Sequence, residues 1–150
     1  MRFQGVSAVV AVYFSCVFFD APKKLSWYIA LLGGAGWLVF LMFQERLGTY
    51  SATYISGLFI AFLSHLAARK FKTPVTVFFI PGFFPLVPGA GMYRTVYWYI
   101  MKDPEMGKHY LNETFMVAGM IALAIFTIDS LFKVYSIISK DFRNHLWHSK

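Results

Sequence analysis

Charge is missing from most of this chain. Uncharged runs cover Phe3–Phe19, Leu25–Gln44, Leu47–Ala68 (counting His65 as neutral), Thr73–Tyr93 and Thr114–Ile128. Acids are scarcest, seven against fourteen lysines and arginines in 150 residues. An ordinary soluble domain does not leave such gaps; 58% hydrophobic residues and a mean hydropathy of +0.56 agree. A single cysteine, Cys16, rules out a disulfide framework within one chain. There is no phosphate loop, no metal-ligand cluster and no nucleophile elbow, so no cofactor, metal or catalytic set is expected. The four histidines are scattered, and His145 and His148 fall in a basic tail.

The apolar runs are the positive signal. About 20 apolar residues cross a bilayer as a helix. Four runs have or approach that length, and the fifth extends past Asp129 to about Ile138. The expectation is an all-α, polytopic membrane protein forming one transmembrane domain over 1–150. It would have about five transmembrane helices, at 3–19, 27–43, 52–68, 74–92 and 114–138, the fourth broken by Pro and Gly. The first run has the outline of a signal peptide but lacks a small-x-small cleavage site, so it is expected to stay as a span. The net charge of +7 does not point to nucleic acid, because the basic residues sit between the apolar runs. There they fit span ends that meet anionic lipid heads. Eight Lys and Arg fall on one side and five on the other, Lys133 being left out as inside a span. That bias favours a cytoplasmic C-terminus.

Several local features carry expectations. Gly33-Gly34-Ala35-Gly36 in the second run is expected to be a close helix crossing, or else a second flexible segment facing span 4. Gln44-Glu45-Arg46 reads as a solvated loop. His65 near the end of span 3 reads as an interfacial residue rather than a proton carrier. Asp103 before Pro104 favours the start of a turn or helix, and Asn112 with Glu113 is a plausible cap for span 5. The tail, 140–150, is expected at the membrane surface.

The stretch from Ile80 to Arg94 stands apart. It holds three prolines (Pro81, Pro85, Pro88) and three glycines (Gly82, Gly89, Gly91) inside an uncharged run. Proline removes amide donors and glycine loosens a helix, so a regular span should not survive there. At membrane depth an irregular backbone is tolerated where it is buried in protein or lines a wet cavity. Pro81, Gly82, Pro85 and Pro88 are therefore expected to form the broken helix or hinge. A helix restarting near Gly91 or Met92 would leave amides that attract an anion. Arg94 would add a charged fork suited to a carboxylate. Gly89 and Gly91 would leave the backbone open to a small ligand, and Tyr93 would complete the site. The competing reading makes the segment a packing kink and Arg94 an interfacial anchor.

Asp129 is the one acid deep in an uncharged run, which marks it as a candidate for coupling to protons. Lys133, four residues on, is expected to pair with it. A structural ion pair near the interface is the other reading of Asp129.

The run Pro81-Gly-Phe-Phe-Pro-Leu-Val-Pro-Gly-Ala-Gly-Met-Tyr-Arg94 resembles the signature of the threonine/serine exporter family, in particular its small five-span domain. Asp20-Ala-Pro-Lys-Lys24 resembles the family's loop after the first span, although the family more usually has Asn at that point. The resemblance covers essentially the whole chain. It implies one subunit of a secondary transporter in the bacterial inner membrane, working with a larger membrane subunit. The substrate implied is a small carboxylate: threonine or serine, or a C4 dicarboxylate such as succinate. Two other classes remain beside it. One is a non-transporting scaffold whose broken span only packs against its partner. The other is a membrane-embedded enzyme, for which no catalytic residues are visible.

Overall fold

The structure, a computed structural model, describes residues 2–148, with side chains described for residues 3–138. No strand occurs among the described residues. The elements are α1 (Arg2–Phe18), α2 (Lys23–Phe71), α3 (Thr76–Gly82), a single 3-10 turn (Phe84–Leu86), α4 (Gly89–Ile100) and α5 (Pro104–His148).

Helix α2 has 49 residues and would be about 74 Å long as a straight rod. It is not straight. Gly48 takes φ 78° and ψ 170°, outside the helical region and open chiefly to glycine. The chain reverses there, so the Tyr28 and Phe71 rings, near its two ends, lie with centroids 5.0 Å apart. Residues 23–47 and 49–71 are the two arms of an antiparallel hairpin. Ser56 on the second arm donates to the Gly36 carbonyl on the first, at 2.6 Å. Gln44-Glu45-Arg46 is therefore helical and exposed rather than a loop, because the one residue able to turn the chain is Gly48.

The small patch at 33–36 is a close crossing. A β-carbon on Gly34 would run into Val9 of α1, and one on Gly36 into Ile60 of the second arm. On Gly33 it would come 3.0 Å from the Gly82 carbonyl and strike Val12. Two apolar cores form around this crossing. Val12, Cys16, Ile29, Ala30 and Phe78 make one; Leu32, Phe40, Ile60, Phe79, Phe83 and Ile128 belong to the other.

The fourth expected span is broken where the prolines stand. The segments Thr76–Leu86 and Gly89–Ile100 meet at 51°. Helix α4 begins at Gly89, two residues before the expected restart, and runs on to Ile100. Lys102 then takes a positive φ of 61°, and the Asp103 amide returns to the Trp98 carbonyl at 3.0 Å, closing α4. Asp103 Oδ1 accepts the Met106 amide at 3.1 Å, so Asp103 caps α5, with Pro104 next and Glu105 in the first turn. Asn112 and Glu113 thus lie inside α5, two turns past its true start, and cap nothing.

Outward-facing side chains are heavily apolar: Phe14, Val17, Trp27, Met42, Phe115, Phe126 and Ile137 are all exposed. Among the described residues, two helices are long and apolar enough to cross a membrane, Lys23–Phe71 and Pro104–Ile138. The bent pair makes a third if it counts as one crossing. With 17 residues, α1 is a shorter apolar helix. By length and composition the described helices thus present two to three of the five expected spans. One long element is folded double, one is bent and one is short. The expected tail, 140–150, lies outside the residues whose side chains are described.

Candidate functional site

Two of the four break residues, Pro85 and Pro88, face a cavity. Pro81 sits inside the last turns of α3 and is buried, with buried Gly82 beside it close to Leu32 and Ile60. Pro85 and Pro88 flank the turn into α4 and line a cavity of about 270 Å³. The 3-10 turn and α4 supply Leu86, Ala90, Gly91 and Arg94 to its walls. From the two arms of α2, close to the reversal at Gly48, come Trp37, Phe40, Thr49 and Thr53. Tyr110, Glu113, Thr114 and Val117 complete it from α5. These four are spaced three, one and three apart, which puts them on one helix face.

The start of α4 has free donors. The Gly89 amide donates to the Val87 carbonyl at 2.8 Å and the Met92 amide to the Pro88 carbonyl at 3.1 Å. No side chain caps this end. Between those two amides stand the N–H groups of Ala90 and Gly91, orphans of a helix start, on two residues of the cavity wall. One turn on, the Arg94 guanidinium lies 5.4 Å from the centre of the Tyr110 ring, in reach of a cation–π contact. Gly91 also lets α4 approach α5, since a β-carbon there would strike the Thr114 hydroxyl.

Of the four residues expected to bind substrate, Gly91 and Arg94 thus line the cavity. Gly89 and Tyr93 do not. Gly89 is exposed, and a β-carbon there would have nothing within 4 Å. Tyr93 is 69% exposed and stacks on Tyr97 at 6.2 Å. Glu113, expected as part of a helix cap, instead stands on the α5 wall of the cavity, opposite in charge to Arg94.

Asp129 does not pair with Lys133. Its Oδ1 lies 2.6 Å from His65 Nε2, a hydrogen bond between side chains 64 residues apart in sequence. Lys133 is exposed. His65 is firmly held. It stacks on Phe132 with centroids 4.4 Å apart and 7° between planes, and meets Phe79 edge-on at 5.6 Å. Arg69 covers the Phe132 ring at 4.7 Å. The pair joins the second arm of α2 to α5, and through Phe79 it touches α3. Phe79 packs on Phe83 at 6.0 Å, and Leu86, three residues further, is already in the cavity wall. Glu113 and Asp129 are 16 residues apart on α5, about 24 Å at helical rise.

The lineage of the chain bears on this cavity. A family profile described as "Threonine/Serine exporter, ThrE" matches residues 4–131. The chain belongs to the threonine/serine exporter family. A Corynebacterium glutamicum protein named "Threonine/serine exporter" is 31% identical to it over 96 residues. Those residues are 64% of this chain and 19% of that protein, so the chain spans about a fifth of the length of the curated relative it matches. No solved structure shows a significant match. Membership in the threonine/serine exporter family fits the apolar exterior. It also gives the broken segment a setting: at membrane depth, irregular backbone belongs beside a cavity, and here it forms the cavity's wall.

Proposed function

We propose that this chain is one subunit of a secondary exporter of a small carboxylate, in the bacterial inner membrane, working with a larger membrane subunit. The carboxylate is that of threonine or serine, or of a C4 dicarboxylate such as succinate. One observation carries the reading: the free amides of Ala90 and Gly91 and the Arg94 side chain belong to the same cavity wall. A helix start and a guanidinium together match the charge and geometry of a carboxylate. The need for a larger subunit is supported by length, since the matched stretch is 19% of the C. glutamicum protein. Asp129, held by His65, is the proton-coupling site in this reading. The contacts from His65 through Phe79 and Phe83 to Leu86 offer a packed route from the pair to the cavity.

The test is efflux of preloaded labelled serine, threonine and succinate from cells that express this chain with its larger subunit. Arg94→Ala at matched abundance should lower efflux about tenfold or more, the loss expected for a charge-assisted hydrogen bond. A scaffold subunit behaves differently: Arg94→Ala would then change assembly and leave efflux per assembled complex intact. Asp129→Asn should abolish efflux driven by a pH gradient while sparing exchange of substrate for substrate. Loss of both modes together would assign Asp129 to the fold rather than to coupling.

A further inference from the structure

Two residues of opposite formal charge, Arg94 and Glu113, line the cavity without forming an ion pair with each other. Among the described residues the ion pairs are His65–Asp129 and Lys108–Glu105. Arg94 and Glu113 are in neither, although both line the cavity, one from α4 and one from α5. Two hydroxyls on the same walls are already committed as donors. Thr53 Oγ1 donates to the Thr49 carbonyl at 2.8 Å, and Thr114 Oγ1 to the Tyr110 carbonyl at 2.7 Å. Each hydroxyl has one proton, so toward the cavity these two present lone pairs. Thr114 is adjacent to Glu113, so on α5 acceptors cluster against the donors of Ala90, Gly91 and Arg94 on α4.

We infer that Glu113 selects the substrate's charge pattern: the cavity is built for a ligand with a carboxylate at one end and an ammonium at the other. This rests on the Arg94 site proposed above and narrows it. An ammonium has three donors and no acceptor, which suits the Glu113 carboxylate and the Thr114 lone pairs. A second carboxylate in the same place would meet a like charge and acceptors, which disfavours a dicarboxylate. Glu113 is thus the specificity residue that separates amino acids from C4 dicarboxylates at a common Arg94 anchor.

Direct binding to the purified full chain in lipid nanodiscs tests this without any partner subunit. The probes are serine (both charges), N-acetylserine (carboxylate alone), serinamide (ammonium alone) and succinate (two carboxylates), read by calorimetry. Wild type should prefer serine over N-acetylserine, serinamide and succinate by about tenfold or more, one charge-assisted contact in each case. Glu113→Gln keeps the shape and should collapse the preference for serine over succinate by weakening serine and strengthening succinate, with N-acetylserine unchanged. Arg94→Gln should weaken serine, N-acetylserine and succinate together. If Glu113→Gln leaves the serine-to-succinate ratio as it was while Arg94→Gln still weakens all three, the Glu113 role is wrong and the Arg94 site stands. If Arg94→Gln changes none of them, the site itself is wrong and the Glu113 role falls with it. Retained N-acetylserine binding by Glu113→Gln shows that this variant is folded.

Discussion

Two glycine-rich stretches of this chain are nearly alike in composition, yet one is enclosed throughout and the other only in part. At 33–36, three glycines are fully enclosed, and a methyl group on any of them would collide with a neighbouring helix. At 89–91, two glycines begin a helix; Gly89 has nothing within 4 Å, while a β-carbon on Gly91 would strike the Thr114 hydroxyl of α5. The difference lies in proline. The first stretch has none, so the helix continues and glycine only removes bulk, letting α1, both arms of α2 and the Gly82 carbonyl meet. The second follows Pro81, Pro85 and Pro88, which break the amide ladder and leave a bend of 51°. Glycine without proline makes a crossing within a continuous helix; glycine after proline makes a helix start with free amides, and at Gly91 a close approach to α5 as well.

The sharpest way to break that contrast is to add one methyl to each stretch. Gly34→Ala should destabilise the protein by about 1–3 kcal/mol, because Val9 already fills the space. The better helix propensity of alanine, up to about 1 kcal/mol, offsets only part of this. Gly89→Ala should change stability by no more than about 0.5 kcal/mol. Thermal unfolding of the detergent-purified chain measures both. Equal effects would mean that the two stretches are packed alike and that the contrast is false.

A smaller effect tests how the broken segment is fastened. Its α3 end has an aromatic anchor, Phe79 against His65, and His65 is held by Asp129. Asp129→Leu removes the hydrogen bond and leaves His65 Nε2 without its partner. About 1 kcal/mol is expected, the ordinary net worth of one hydrogen bond. Asp129→Asn still offers a carbonyl acceptor and should cost less. If Asp129→Leu is neutral in the same unfolding assay, the pair does not fasten α3, and the route from Asp129 to the cavity loses its first link.

The fold is legible in the sequence where one residue decides the local backbone. Prolines at 81, 85 and 88 announce the break, the cluster at 33–36 announces a crossing, and Asp103-Pro104 announces a helix start. Contacts between distant elements are not legible. Lys133 is the partner that sequence suggests for Asp129, because i,i+4 is the nearest spacing a sequence displays, yet His65, 64 residues away, takes the carboxylate. Glu113 resembles a cap because it follows Asn112, but Asp103 has already started the helix, and that places Glu113 on the cavity face. Charged residues at 45 and 46 suggest a loop; the reversal needs a positive φ, and only Gly48 can supply it without strain.

The smallest expected effect distinguishes packing from hydrogen bonding in the crossing. Ser56 Oγ donates to the Gly36 carbonyl at 2.6 Å between the two arms, and Ser56 is fully buried. Ser56→Ala removes that donor. The Gly36 carbonyl keeps its own helical amide, so no buried polar group is orphaned. Interhelical hydrogen bonds of this kind average about 0.6 kcal/mol in membrane proteins, and a loss of that size is expected. The same unfolding assay checks it. A loss well above that of Gly34→Ala would reverse the order. It would mean that the hairpin is held by this one bond, with close approach at the glycines as its consequence rather than its cause.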